Sequence, residues 1–149
     1  MPKPKIVVLV GLPGSGKTTY LEKLGVTGLS SDEIRRLLTD DVGNQNINTQ
    51  VFATLRYLVR QRAELRRPVT YIDATNLTRY ERRPYIKLAG LHDCEIEAVF
   101  FDVPVEVCQE RNRLRHRVVP VDVISQMAAR LDPPTTEEGF SRVIRVTAA

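Results

Sequence analysis

Between the apolar run Ile6-Val7-Val8-Leu9-Val10 and the helix-compatible segment Thr18-Thr19-Tyr20-Leu21-Glu22-Lys23-Leu24, the chain reads Gly11-Leu12-Pro13-Gly14-Ser15-Gly16-Lys17-Thr18. This is G-x-x-x-x-G-K-[ST] in the order strand, glycine-rich loop, helix, the context that gives the pattern physical meaning. The N–H groups of such a loop form a concave set of donors, and the helix N-terminus behind them favours negative charge. The loop can therefore wrap the β-phosphate of a nucleotide. Lys17 can reach β- and γ-phosphate oxygens, and the Thr18 hydroxyl can ligate Mg²⁺. A glycine-rich turn that binds nothing is the alternative, and the correct flanks weigh against it.

That strand and loop also constrain the fold. β-branched segments alternate with longer helical patterns, which predicts an α/β architecture with a mainly parallel sheet. As a continuous apolar run, the first strand (Lys5–Val10) should be central and covered on both faces. The first helix fades at Gly25, and residues 26–30 are a candidate short second strand. Ser30 and Glu33 are spaced as a capping box for a helix that stops near Asp40-Asp41. Residues 41–48 are polar, contain Gly43 and read as a loop. Val51, Phe52, Leu55, Leu58, Val59, Ala63 and Leu65 then recur at helical spacing until Pro68.

Val69–Asp73 reads as a strand ending in a carboxylate, followed by the loop Ala74-Thr75-Asn76-Leu77-Thr78. Thr78 is placed to cap a helix over 79–89, and residues 95–101 form the next strand. Pro104 suits the first turn of a helix running through Arg111, Arg113, Arg115 and Arg117. Val118-Val119-Pro120 breaks it. A further helix covers 121–131, and residues 143–146 are a candidate last strand. At 149 residues the whole reads as one domain, 1–149.

Composition excludes several classes. Apolar residues make up 42% and charged residues 27%, as in soluble globular chains. No apolar run nears the roughly 20 residues of a membrane span and no secretory signal is visible, so a cytoplasmic protein with no membrane partner is expected. Cys94 and Cys108 are too few and too separated for a zinc site or a disulfide framework, and should be reduced. The net charge of +4 suits a polyanionic substrate without requiring one. The arginines between 56 and 67 read first as a solvated helix face.

In parallel α/β sheets ligands sit beyond the C-terminal ends of the strands, and Ser31-Asp32 and Asp73 should land there beside the loop. Asp73 has the position of an acidic residue that helps hold a Mg²⁺ shell, or else it initiates a turn. Asp32, in the first turn of its helix, is either a base for a substrate hydroxyl or a carboxylate that complements the dipole. Arg35 is either its ion-pair partner or a contact for a second, non-nucleotide phosphate. Arg111 and Arg115, four apart, should leave one side of a helix and act as a lid that neutralises phosphoryl oxygens.

Together these residues resemble the 5′-hydroxyl polynucleotide kinase family of P-loop phosphotransferases. The shared elements are Gly-Leu-Pro-Gly-Ser-Gly-Lys-Thr at 11–18, Ser-Ser-Asp-x-x-Arg at 30–35, Asp-Ala-Thr-Asn at 73–76 and Arg111-Asn112 with Arg115. Val-Pro-Val-Asp-Val at 119–123 is similar to the stretch after the family's lid. The resemblance spans roughly 5–131 and implies a three-layer P-loop kinase fold with an Arg-rich helical lid. It implies that Lys17 stabilises the β- and γ-phosphates of ATP or another NTP, within a cradle of Gly14, Ser15, Gly16, Thr18 and Thr19. Asp32 would deprotonate the acceptor's 5′-OH and Arg35 would bind the phosphate 3′ of the terminal nucleoside. Arg115 would touch the transferring phosphate, and Arg111 would lie against the donor. Asp73, Thr75 and Asn76 would shape the acceptor side, with Thr18 and Asp73 beside Mg²⁺. The partner would be a nucleic acid 5′-OH end, RNA or DNA. Two other readings stay open. One is a P-loop kinase for a small-molecule or aminoacyl-tRNA hydroxyl, and the other is a nucleotide-binding switch.

Overall fold

In the computed structural model, which describes residues 2–115 and 118–147, five parallel strands form one sheet. They are β1 (Lys5–Val10), β2 (Leu29–Ser30), β3 (Val69–Asp73), β4 (Glu95–Asp102) and β5 (Arg142–Thr147), in the order β2-β3-β1-β4-β5. The helices are α1 (Lys17–Leu24), α2 (Ser31–Thr39), α3 (Asn48–Glu64), α4 (Arg79–Leu91), α5 (Val105–Arg113) and α6 (Val121–Arg130), with a 3₁₀ turn at Thr136–Glu138. This is the α/β architecture expected from the alternation of patterns. β1 is central, and Val8, Leu9 and Val10 are fully buried.

Strand pleating sends alternate side chains of β1 to opposite faces, and each face has its own core. Ile6, Val8 and Val10 pack with Val51, Leu55 and Val59 of α3 and with Tyr85 and Ala89 of α4. Val7 and Leu9 pack with Leu21 of α1, Cys108 of α5 and Ile124 of α6. The helices that leave β1 and β3 therefore lie on opposite faces of the sheet. The crevice between these two neighbouring strands is where such folds place ligands.

Several local expectations shift. The second strand shrinks to two residues, because pairing with β3 engages only Leu29↔Ile72 and Ser30↔Asp73. Ser30 caps α2 by accepting from the Glu33 N–H at 3.1 Å. The Glu33 carboxylate turns to Arg36 rather than back to Ser30, so only half of the capping box forms. Thr78 caps α4 by accepting from the Glu81 N–H at 3.2 Å, and that helix runs on to Leu91.

The largest difference concerns the arginine-rich helix, which ends at Arg113 rather than continuing through Arg115. Asn112, fully buried, donates to the Val119 carbonyl at 2.6 Å and accepts from the Val119 N–H at 3.0 Å. This two-point clamp ties the end of α5 to Val119. Arg117, the fourth arginine of the cluster, and His116 lie outside the described residues.

Arg56 to Arg67 is also not one solvated face. Arg62 donates to the Thr70 hydroxyl and the Val69 carbonyl, tying α3 to β3, whereas Arg60 sits over the Tyr57 ring in solvent. Cys94 and Cys108 are free thiols. Among the described residues no helix is long and apolar enough to cross a membrane.

Candidate active site

The loop after β1 reverses direction through two left-handed glycines, Gly14 (φ 83°) and Gly16 (φ 102°). At Gly14 a Cβ would come within 2.5 Å of the Cys108 carbonyl oxygen, because the backbone of α5 packs directly on the loop. Only glycine satisfies both the backbone angle and this contact. Gly16 is the N-cap of α1 and supplies no side-chain cap, so the first N–H groups of the helix stay available to an anion. Ser15 is buried, and its hydroxyl has no hydrogen-bond partner among the described residues. Thr18 and Thr19, in the first turn of α1, are exposed.

Lys17 is the chemical centre of the loop. Its ammonium donates to the carbonyls of Gly11 and Leu12, both at 2.8 Å. Burial pulls its pKa down from 10.5 to about 8; Asp73 opposes this shift and Arg115 adds to it. Asp73 ends β3 beside Ser30 and accepts from the Thr18 hydroxyl at 3.3 Å. Burial pushes its carboxyl above the usual range, against the pull of Lys17 and the Thr18 hydroxyl. Asp32 adds to this rise and Arg115 opposes it, so Lys17, Asp32, Asp73 and Arg115 share one electrostatic environment.

No three His, Cys, Asp or Glu side chains gather into a metal site among the described residues. Mg²⁺ does not need such a cage, since one or two protein oxygens and substrate phosphates usually hold it. The Thr18 hydroxyl and the Asp73 carboxylate are hard oxygen donors at the foot of the loop, a set that fits Mg²⁺ arriving with a nucleotide. Bound there, the ion would neutralise charge on the β- and γ-phosphate oxygens.

On α2, Arg35 donates to the Asp32 carboxylate at 2.9 Å, so the ion-pair arrangement is realised. The same guanidinium donates to the Asn48 carboxamide oxygen at 2.8 Å, which ties α2 to the first turn of α3. The Arg35 side chain is only 5% exposed and that of Asp32 is 38% exposed, so the carboxylate is reachable while its partner is fixed.

Thr75 and Asn76 line the same cleft, but Asn76 is also a structural pin. In the left-handed region (φ 48°), it donates from its amide to the Leu9 carbonyl at 2.8 Å and the Ala74 carbonyl at 3.2 Å. The Thr75 carbonyl accepts from the Gly11 N–H at 3.1 Å, which joins the two loops.

Arg111 approaches the loop from α5, with a guanidinium nitrogen 3.5 Å from the Ser15 carbonyl oxygen. Arg115 lies past the end of that helix, and both arginines line the cleft. The cleft, about 1860 Å³, brings together the cradle, Asp32, Arg35, Asp73, Thr75, Asn76, Arg111 and Arg115.

Three contributors escaped the sequence reading. Asn48 is the first residue of α3 and its side chain also orients Arg35. Asn112 stood inside a quoted motif without a role, and it ties the end of α5 to Val119. Arg82, fully buried, donates twice to Glu138 at 2.9 Å and once to the Asn76 carbonyl at 2.9 Å. No local signal links residues 56 apart. Only the presence of an arginine on the inward face of α4 hinted that a carboxylate must meet it.

The family model described as AAA domain (AAA_33) matches residues 6–134. Over 152 residues the chain is 31% identical to "Transcription factor bHLH140" of Arabidopsis thaliana, covering 95% of this chain and 16% of that protein. It is 27% identical over 149 residues to the "Bifunctional polynucleotide phosphatase/kinase" of Schizosaccharomyces pombe, covering 95% of this chain and 33% of that protein. A chain from the "Pnkp1/Rnl/Hen1 RNA repair complex" shares the fold, with a TM-score of 0.73 at 23% identity over 88% of this chain and 45% of that one. The chain thus spans a third or less of these two curated relatives.

Proposed function

Because the chain belongs to the AAA-domain family (AAA_33) and carries a nucleotide-binding P-loop of the kinase type, we propose that it phosphorylates the 5′-OH end of RNA or DNA with ATP. The observation that carries this reading is the Asp32–Arg35–Asn48 arrangement, beside Lys17 in the same cleft. A nucleotide switch has no need of a reachable carboxylate backed by a fixed cation, whereas an acceptor site needs both. The relative from S. pombe, named as a polynucleotide phosphatase/kinase, supports the polynucleotide as acceptor.

In this reading Asp32 takes the proton of the 5′-OH as its oxygen attacks the γ-phosphorus of ATP. The bond between the γ-phosphorus and the β–γ bridging oxygen breaks, and ADP leaves with the electron pair. Lys17, Arg111 and Arg115 neutralise charge on the phosphate oxygens, while Arg35 holds the phosphate 3′ of the terminal nucleoside. The loop N–H groups orient the β-phosphate.

The test is incubation with γ-labelled ATP, Mg²⁺ and oligonucleotides carrying either 5′-OH or 5′-phosphate ends. Label should appear on the 5′-OH strands alone. Label on neither would sink the proposal, and label on small hydroxyl metabolites or aminoacyl-tRNA instead would move the acceptor to those classes.

A further inference from the structure

The proposed transfer occupies the part of the cleft beside the P-loop, and another wall takes no part in it. α3 and α4 lie side by side on one face of the sheet, both starting near its C-terminal edge. Phe52 and Arg56, one turn apart on α3, line the cleft together with Tyr80, Arg83 and Lys87 from one side of α4. Arg56, Arg83 and Lys87 are exposed and have no ion-pair partner among the described residues. Tyr80 is 77% exposed with no ring contact among the described residues, while Phe52 packs partly against the core and shows its remaining surface to the cleft.

Charge is unevenly spread around this cleft. Among the described residues its carboxylates are Asp32, Asp73 and Glu81, against nine lysines and arginines. Asp32 is paired with Arg35, and Glu81 is occupied by the Leu77 N–H and Arg130. The α3–α4 wall therefore presents cations with little to neutralise them, a surface that suits a polyanion. It is also continuous with the acceptor site. From Asn48, which holds Arg35, to Arg56 is eight residues of helix, or about 12 Å. That is the length of three or four stacked nucleotides at about 3.4 Å each.

We propose that the groove between α3 and α4 is the track for the single strand that follows the acceptor nucleotide, an inference that rests on the 5′-OH kinase reading. Arg56, Arg83 and Lys87 hold successive phosphates, and a base stacks on Tyr80. Stacking on an aromatic ring requires an unpaired base, so the track takes single strands and rejects duplex. The chain has few aromatics, and the fold places two of them where a strand would pass.

The test measures binding, separately from transfer, for a 5′-OH dinucleotide, a 5′-OH octanucleotide and a duplex of the octanucleotide. The intact chain is compared with Tyr80→Ala and with the triple variant Arg56→Ala/Arg83→Ala/Lys87→Ala, all at exposed positions. The octanucleotide should bind at least about tenfold tighter than the dinucleotide, and the triple variant should erase that advantage and lower the salt slope by about two to three. Tyr80→Ala should weaken octanucleotide binding about tenfold and leave the dinucleotide unchanged. ATP affinity should stay constant throughout. Equal affinity for both lengths, an unchanged salt slope in the triple variant, or duplex binding as tight as single strand would each overturn the track. Length-dependent binding without label transfer would support the track and defeat the kinase reading, and transfer without length dependence would do the reverse.

Discussion

At Lys17 the burial that aims the ammonium at a phosphate also opposes its charge. The native pKa of about 8, against 10.5 for a free lysine, corresponds to about 3 kcal/mol of differential stabilisation. The sign follows from proton counting. Below pH 8 both states carry the proton, and the folded chain bears the whole penalty of the buried charge. Between pH 8 and 10.5 the unfolded state binds more protons, so stability contributed by this group rises with pH. Thermal melts without nucleotide should therefore show the wild type gaining stability relative to Lys17→Met across that window. A difference between the two proteins that stays flat from pH 7 to about 10.5 would refute the burial of a charged Lys17. At this scale the sequence was highly legible, since the P-loop pattern names its own lysine, threonine and glycines. It could not show that Gly14 is also where Cys108 presses on the loop, because that contact belongs to packing between distant segments.

Among the elements, α4 and the turn at Thr136–Glu138 hold the loop after β3 through Arg82. Both partners of the Arg82–Glu138 pair are almost inaccessible, at 0% and 3% side-chain exposure. Glu138→Gln leaves a buried guanidinium without its counter-charge and should destabilise the fold by about 3 kcal/mol in denaturant unfolding. The double variant Arg82→Met/Glu138→Leu removes both charges and should recover much of that loss. A Glu138→Gln change below about 1 kcal/mol would mean that the pair does not hold this region together. Strands and helices were readable from periodicity and caps, as Thr78 and Ser30 show. The end of α5 was not, because intrinsic propensity favours continuing through Arg115. A buried side chain, Asn112, wins by satisfying two backbone groups of Val119. Asn48 and the Arg82–Glu138 pair were equally hidden, since each acts through a partner that only the fold brings near.

Across the whole molecule, the strand order places β1 beside β3 with their following helices on opposite faces. The crevice outside their C-terminal ends receives the P-loop from β1 and Asp73 from β3, joined through Thr18. β2 brings Ser30 alongside Asp73 and so delivers α2, with Asp32 and Arg35, to the same edge. The P-loop, Asp73 and the Asp32–Arg35 pair thus meet because three strand ends converge, which the alternation of patterns in the sequence foreshadowed. In the proposed reaction Asp32 acts on the acceptor and not on the nucleotide. The most direct test of this role is Asp32→Ala, assayed in parallel for ATP affinity and for label transfer to a 5′-OH oligonucleotide. Transfer should fall by at least about a hundredfold while ATP affinity stays within about twofold of wild type. Loss of ATP affinity in step with transfer, or transfer that survives the substitution, would contradict it.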